Sequence, residues 1–273
     1  VSVSKSPYEI QCFVGEVRKG DVDGFPPSAI STNAVAASPP MPPCEYGRPS
    51  DGFRLRFLSG DAAVPPADSD CVHVWSHPLT GPARSGFRDL LSEEECAAAS
   101  RFHTPELAER YRQAHGWMRS VLSRYLDTPP ETLRFRSGPD GKPRLAHGSL
   151  YFNLAHSDSL ALLAVRQDAP VGVDVEPVRP LPEAMLIACR WFSAPEIRWI
   201  AASDDRDRAF LRCWVCREAF LKATGEGLGR PLDSFALHPC GDTLRLDGAA
   251  LAECTPLAGH VAAVVCETLF PSC

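Results

Sequence analysis

Lysine is scarce in this chain, and so are several features that would assign a function class at once. Only 4 of the 28 basic residues are lysines, so an anion site must depend mainly on arginine guanidinium groups. No apolar run reaches 18 residues, and we therefore expect no membrane span. The opening residues lack the charged-then-apolar order of a secretory signal, which favours a cytoplasmic location.

The charge balance is acidic rather than basic. The formal net charge of −6 argues against general nucleic-acid binding, which usually requires a basic surface. The composition, 44% hydrophobic and 23% charged, excludes collagen-like, coiled-coil and wholly disordered chains. A length of 273 residues suits one large domain or two small ones with a sizeable core.

Eleven cysteines are present, but they follow no regular spacing. Their odd number and the missing export signal predict reduced thiols. One CxxC pair, Cys213 and Cys216, lies inside a helical pattern, and no second pair completes a zinc site. Helix packing is favoured over redox or metal chemistry here. A thiol oxidoreductase stays open as a rival hypothesis, which predicts loss of activity when either thiol is alkylated.

The first quarter of the chain differs in composition from the rest. Residues 1–69 hold 10 of the 26 prolines and include the low-complexity run STNAVAASPPMPP. Proline restricts φ and removes a backbone donor, so we expect a poorly ordered extension with one short strand at 53–58. From residue 70 the sequence becomes globular.

Helical and strand patterns then alternate with turns. Ser92 and Glu95 form a capping-box signature that opens a helix, and Gly225 ends another by allowing a left-handed cap. Two apolar runs at 160–165 and 171–175 are predicted to pair as a hairpin around 166–170. Further helices are predicted at 105–125, 184–192, 194–202 and 206–224, and further strands at 72–75, 133–135, 235–237, 244–246 and 261–266. This mixture indicates an α+β fold.

Two carboxylates occupy alternate positions of one predicted strand. In the segment GVDVE, Asp174 and Glu176 project from the same face, while Val173 and Val175 project to the other. A solvated strand end is one interpretation of the pair. The other is a cation site, and oxygen ligands alone favour Mg²⁺ or Ca²⁺ over zinc.

A third carboxylate follows on the long helix at 206–224. Glu218 and Lys222 share a helix face because they are four residues apart. They form either a plain surface ion pair or, given the apolar neighbours Trp214 and Phe220, the edge of a cleft. Upstream, His156 lies in a polar turn beside Ser157. Three acids with a lysine and an arginine would suit a metal-bound pyrophosphate.

Several motifs together resemble the monomeric, two-subdomain family of 4′-phosphopantetheinyl transferases. The family signature is a Gly-hydrophobic-Asp-x-Glu strand and, some forty residues later, Trp-x-x-Lys-Glu-Ala-x-x-Lys. The matching segments are GVDVE (172–176), WVCREAFLK (214–222), GKP (141–143), FNLAHS (152–157), LSEEE with the RF and R that follow (91–110), and GEGLGRPL (225–232). The chain departs from the family at Arg217, where lysine is usual.

The resemblance implies a pseudo-twofold pair of similar α+β subdomains, 70–168 and 169–273, with coenzyme A between them, after an extension at 1–69. It also implies transfer of the 4′-phosphopantetheine arm from coenzyme A to a serine of an apo acyl or peptidyl carrier protein, with 3′,5′-ADP released. It suggests a monomer that needs neither nucleic acid nor membrane.

The site roles come from the same resemblance. Mg²⁺ is assigned to Asp174, Glu176 and Glu218, with Glu218 also the general base. Lys222 is expected to be catalytic and to touch the pyrophosphate. Coenzyme contacts are further assigned to Arg110, Lys142, His156 and Arg217. The remaining rival is a carrier-binding module without turnover. Because carrier proteins of this class are acidic around their serine, we expect positive charge near the cleft, some of it from the arginines of the helix at 105–125.

Overall fold

The computed structural model describes residues 53–66, 70–80, 84–138, 141–225 and 234–267. Within these ranges five α-helices and two 3₁₀ turns accompany eleven strands. The helices are α1 (Glu93–Ala99), α2 (Pro105–Leu126), α3 (Ala184–Trp191), α4 (Ala194–Ala202) and α5 (Arg206–Thr224), and the 3₁₀ turns are Ser85–Leu90 and Pro130–Thr132. The α+β prediction is confirmed. None of the described helices is long and apolar enough to cross a bilayer.

A four-stranded sheet organises the first half of the described chain. Its order is β1-β2-β6-β5, with β1 parallel to β2 and the other neighbours antiparallel. The strands are β1 (Arg54–Ser59), β2 (Cys71–Pro78), β5 (Tyr151–His156) and β6 (Leu160–Arg166). A separate hairpin joins β3 (Phe135–Ser137) to β4 (Pro143–Leu145). The strand predicted at 53–58 is therefore the edge of this sheet.

A three-stranded antiparallel sheet organises the second half. Its order is β10-β11-β7, built from β7 (Val171–Pro177), β10 (Ala249–Cys254) and β11 (His260–Glu267). A second small hairpin pairs β8 (Leu237–Cys240) with β9 (Thr243–Leu246).

The two sheets pack face to face, and a long helix covers the outer face of each. Alternate residues such as Val72 and Val74 from one sheet and Val173 and Val175 from the other share a single core cluster. The outer face of the first sheet packs on α2, and the outer face of the second packs on α5. The strands at the seam between the sheets are β5 and β7.

Local sequence signals set the helix ends. The N–H of Glu95 donates to Ser92 Oγ at 3.3 Å, and the N–H of Ser92 donates to Glu95 Oε2 at 2.9 Å, which confirms the capping box. Thr104 caps α2 with one hydrogen bond, in which its Oγ1 accepts from the N–H of Leu107 at 3.3 Å. Helix α5 ends at Gly225 with φ of 74°, a conformation that glycine adopts without a Cβ penalty.

The prediction of a hairpin around residues 166–170 is wrong. Strand β6 pairs with β2 and β5, whereas β7 pairs with β11 in the other sheet. The turn residues do reverse the chain, but β7 is buried on both faces, and its backbone partner comes from the far end of the sequence. Strands β3 and β8 begin two residues later than predicted, and β4, β5 and β10 have no counterpart in the sequence analysis. Apart from 53–66, the predicted extension lies outside the described residues.

Candidate active site

The frame of the candidate site is the close contact between strand β7 and helix α5. A Cβ on Gly172 would overlap the backbone at Ala219 O and Ala223 N, so only glycine lets the strand approach the helix this closely. Asp174 and Glu176 follow at two-residue steps and thus face the same helix. Both are buried, with 7% and 6% of their surface exposed. The predicted shared face of these carboxylates is confirmed, and the solvated strand end is excluded.

Asp174 is held by the lysine of helix α5. Lys222 Nζ donates to Asp174 Oδ1 at 2.6 Å, so a residue of the helix neutralises a residue of the strand. The other carboxylate oxygen, Oδ2, is buried and accepts no hydrogen bond from any described residue. A buried carboxylate oxygen without a donor is costly, and a bound cation would supply what this oxygen lacks.

Glu176 is the second carboxylate of the pair. Arg179 Nη1 donates to its Oε2 at 2.9 Å. Burial, followed by the negative charge of Asp174, raises the pKa of Glu176 to about 7. Two acids this close repel each other when both are ionised, and positive charge between them relieves that repulsion. The donor set therefore fits a hard divalent cation such as Mg²⁺, which prefers oxygen ligands.

Glu218 lies one helical turn before Lys222 and is also buried, with 6% of its surface exposed. In the parts of the chain that the structure describes, no three His, Cys, Asp or Glu side chains form a group that could hold a metal ion. The structure thus assembles the pair Asp174 and Glu176, but it does not assemble the predicted triad with Glu218. Mg²⁺ commonly takes only one or two protein carboxylates and completes its shell with water and substrate phosphate.

His156 brings the first half of the chain to the same place. It ends strand β5, and its Nε2 is buried without a hydrogen-bond partner among the described residues. Burial, followed by the charges of His115, Lys222 and Arg110, lowers the pKa of His156 to about 3. The imidazole is therefore neutral at physiological pH. Lys222 and Arg110 are near enough for their charges to act on this ring, and the space beside the ring is the third part of the candidate site.

Arg110 reaches this space from helix α2. Its Nη1 donates to Asp158 Oδ1 at 2.8 Å. Both side chains are partly exposed, 35% and 62%, so solvent screens the pair and its net stabilisation is small. A guanidinium held by an exposed carboxylate can exchange that partner for a phosphate.

Lys142 lies at the seam between the halves. Its Nζ donates to the carbonyls of Val171 at 2.9 Å and Ala223 at 3.3 Å. Burial, followed by the charge of Arg144, lowers the pKa of Lys142 to about 8. The structure thus places this lysine against the backbone of β7 and the end of α5, the strand and the helix that carry Asp174 and Lys222.

Arg217 does not lie with the other predicted coenzyme contacts. Its guanidinium is fully buried and makes a two-point ion pair with Glu196, Nη2–Oε2 2.6 Å and Nε–Oε1 3.0 Å. The rings of Phe192 and Phe235 lie on either side, 4.7 and 4.9 Å from Cζ. The prediction that Arg217 meets phosphate is wrong for this structure, because a helix side chain adjacent in sequence to Glu218 points about 100° away from it.

The CxxC pair packs in the core of the second half. Cys213 and Cys216 are buried free thiols, and burial raises the pKa of each well above the usual range of a cysteine. A redox-active cysteine needs the opposite, an exposed thiol with a lowered pKa. The thiol oxidoreductase hypothesis is therefore wrong.

Three residues that support the site were not predicted to have roles. Asn153 Oδ1 accepts a hydrogen bond from the N–H of Val173 at 2.8 Å and so links β5 to β7. Arg179 pairs with Glu176, and Glu196 holds Arg217. Each had a sequence signal: Asn153 lies in the FNLAHS segment, Glu196 is three residues after the helix cap Ser193, and Arg179 is three residues after Glu176.

A buried acidic pair beside a lysine, an arginine and an uncharged histidine defines a site for a phosphate ester with a divalent cation, the equipment of phosphoryl-transfer enzymes. A sequence profile of the 4′-phosphopantetheinyl transferase superfamily matches residues 170–263, which include β7 and α5. The chain belongs to this superfamily, and its enzyme class is that of a 4′-phosphopantetheinyl transferase.

Individual relatives support the same assignment over a longer part of the chain. The 4′-phosphopantetheinyl transferase HetI of Nostoc sp. is 39% identical over 171 residues, which cover 59% of this chain and 72% of the relative. Sfp of Bacillus subtilis is 31% identical over 164 residues, again 59% and 72%. Psf-1 of Bacillus pumilus is 32% identical over 206 residues, 67% of this chain and 87% of the relative.

Proposed function

We propose that this enzyme transfers the 4′-phosphopantetheine arm of coenzyme A to a serine hydroxyl of an apo acyl or peptidyl carrier protein in the presence of Mg²⁺. The observation that carries the proposal is the buried Asp174–Lys222 pair, in which one Asp174 oxygen lacks any donor among the described residues. The two subdomains are 70–168 and 169–273, extended by strand β1, and the coenzyme occupies the space between β5, β7, α2 and α5.

The residues that would hold the metal are Asp174 and Glu176. A Mg²⁺ held there would supply positive charge to stabilise the pyrophosphate as negative charge moves onto the leaving phosphate. Lys222 and Arg110 leave their carboxylate partners Asp174 and Asp158 to bind phosphate oxygens. Neutral His156 supplies a hydrogen bond in the same space without repelling either cation.

The reaction itself exchanges one phosphorus–oxygen bond for another. The serine oxygen bonds to the phosphorus that carries the pantetheine arm, and the bond from that phosphorus to the bridging oxygen breaks. The carrier keeps the arm, and 3′,5′-ADP leaves with the bridging oxygen. Glu218 accepts the serine proton, a role for which its buried carboxylate one turn before Lys222 is suited.

A mass assay tests the proposal. An apo carrier domain incubated with coenzyme A, Mg²⁺ and the enzyme should gain the mass of one phosphopantetheine arm, and EDTA should stop the gain until Mg²⁺ is restored. Asp174→Asn should abolish transfer, and Glu218→Gln should lower kcat by about 10²-fold or more, as for loss of a general base. Carrier binding without any mass gain would instead support the module without turnover.

Arg206→Lys is the matched control. It changes an exposed residue at the start of the same helix, and the enzyme should keep its KM for coenzyme A. Full activity of Asp174→Asn, or indifference to EDTA, would remove the metal from the mechanism.

A further inference from the structure

The expected source of positive charge near the cleft is the arginine-bearing helix α2, but other groups of the chain engage its arginines. These contacts are Arg110 with Asp158 at 2.8 Å, Arg112 with Glu109 at 3.5 Å, Arg119 with Glu95 at 2.7 Å, and Arg124 with the carbonyl of Ala62 at 3.0 Å. Arg119 is also almost fully buried. The positive charge that attracts an acidic partner must therefore come mainly from another part of the enzyme.

The β3–β4 hairpin presents such charge. Arg136 and Arg144 are directly opposite each other in its antiparallel register, so their side chains leave the same face. The neighbouring pair, Phe135 and Leu145, turns to the other face and packs in the core with α2. Both arginines are exposed, and neither forms an ion pair with any residue that the structure describes. We name this pair the arginine hairpin.

Two arginines opposite each other destabilise the hairpin when no partner is bound. Like charges directly opposite each other on a two-stranded ribbon repel, and the ribbon is only three residues long on each side. The charge of Arg144 also contributes to the lowered pKa of Lys142. A carboxylate between the two guanidinium groups would remove the repulsion and form charge-assisted hydrogen bonds with both.

The arginine hairpin borders the candidate active site. Its turn residue Lys142 donates to the carbonyls of Val171 and Ala223, three residues before Asp174 and one after Lys222. Arg144 lies against the end of α5, where a Cβ on Gly225 would be 3.5 Å from its Nη2. A partner that touches the hairpin is thus next to the strand and the helix that carry the catalytic groups.

We propose that Arg136 and Arg144 form the docking surface for the acidic face of the apo carrier protein; this inference rests on the proposed function. The enzyme carries a net charge of −6 and would repel an acidic partner at long range, so a local cationic patch is needed to steer the encounter. Coenzyme A is the less suitable occupant, because its proposed contacts Lys142 and His156 are withdrawn into the seam, whereas both arginines are exposed to solvent.

The substitution Arg136→Glu gives a test with two readouts of opposite sign. It places a carboxylate opposite Arg144 and should leave the Tm equal to or above that of the parent, since repulsion becomes attraction. The KM for the apo carrier should rise about tenfold at low salt, while kcat and the KM for coenzyme A stay within about twofold. The difference should shrink as ionic strength rises, because salt screens exposed charges.

Arg245→Glu is the matched control. Arg245 is exposed on β9 in the other half, and its replacement changes the net charge of the enzyme by the same amount. Its KM for the carrier should stay within about twofold of the parent, because only charge near the docking path steers the partner. An equal rise in both variants would overturn the docking surface in favour of a general effect of net charge.

The remaining outcomes are also decisive. A changed KM for coenzyme A with an unchanged KM for the carrier would assign the arginines to the coenzyme and overturn the proposal. Should Arg136→Glu lower the Tm, Arg136→Gln replaces it, and an unaltered carrier KM in that variant would sink the idea. Calorimetric titration with a carrier whose serine is replaced by alanine separates docking from chemistry, because this carrier cannot accept the arm. Equal affinity of the parent and of Arg136→Glu for it would refute docking at this surface.

Discussion

Three kinds of burial distinguish the predicted site residues from one another. Asp174 and Glu176 are buried against a helix that offers them a lysine, His156 is buried without a described partner at Nε2, and Arg217 is buried inside a complete ion pair. In the first two arrangements a polar atom is left to bind a ligand, namely Asp174 Oδ2 and His156 Nε2. In the third, Glu196 and two aromatic rings already surround the guanidinium. Residue type and spacing could not separate these cases, because each depends on what packs around the side chain.

The lowered pKa of His156 makes stability depend on pH. The folded chain holds this imidazole neutral down to about pH 3, whereas the ordinary histidine pKa of 6.5 applies when the chain unfolds. Between these values the unfolded state binds more protons, so the free energy of unfolding falls as pH falls from 6.5. Urea unfolding at pH 7 and pH 5 should show a larger loss for the parent than for His156→Gln. Equal losses would mean that His156 is open to solvent.

At the level of elements, helix α5 performs two tasks on different faces. One face carries Glu218 and Lys222 toward β7, and another carries Arg217 toward Glu196 of helix α4. The second contact fixes the rotation of the helix and therefore the direction of the first. A charged residue on a helix is usually interpreted as a solvent-exposed residue or as a functional-site residue. Arg217 has a third role, which is to anchor the helix.

Replacing one partner of the Arg217–Glu196 pair should lower the free energy of unfolding more than replacing both partners. Arg217→Met leaves Glu196 buried without its partner and should lower the free energy of unfolding by about 3–5 kcal/mol. The double variant Arg217→Met with Glu196→Leu should recover most of that loss, since no buried charge is left alone. A double-mutant cycle in urea measures the coupling. Additive effects would contradict a direct buried pair.

Gly172 sets the distance between β7 and α5. Gly172→Ala would drive a Cβ into the backbone at Ala219 and Ala223, so the helix must shift, at a cost of about 1–3 kcal/mol for overpacking. Because the shift separates Lys222 from Asp174, kcat should fall as well. Gly86→Ala is the control, since a Cβ there meets nothing within 4 Å. Thermal unfolding and transfer assays on both variants check the prediction, and a parent-like Gly172→Ala would contradict it.

At the scale of the whole molecule, the sequence was sufficient where signals are local and insufficient where partners are distant. Capping at Ser92 and Gly225 located helix ends, and the spacing of Asp174 and Glu176 gave their shared face. The division of β6 and β7 between two sheets depends on β11, about ninety residues away in sequence, and no turn motif encodes it. Strand β10, AALAEC, was not predicted because alanine has no preference for strands, and only pairing with β11 and burial of both faces make it one.

The candidate site uses residues of both halves, so it depends on how the two halves are held together at the seam between the sheets. Asn153 Oδ1 accepts the N–H of Val173 there, in a buried bond of 2.8 Å, and thus ties the strand of His156 to the strand of Asp174. Asn153→Ala leaves a buried N–H without an acceptor, which costs about 1–3 kcal/mol. It should also raise the KM for coenzyme A, because residues from both halves contact the same ligand.

Phe152→Leu separates these two effects. Phe152 lies on the same strand but packs within the core of the first half against α2, so its truncation lowers the free energy of unfolding by a similar amount, about 1 kcal/mol, without touching the seam. We expect its KM for coenzyme A to match that of the parent. If both variants raise this KM equally, the effect follows from lost stability and not from the relative position of the halves. If only Asn153→Ala raises it, the amide of Asn153 holds the two halves in the relative position that coenzyme binding requires.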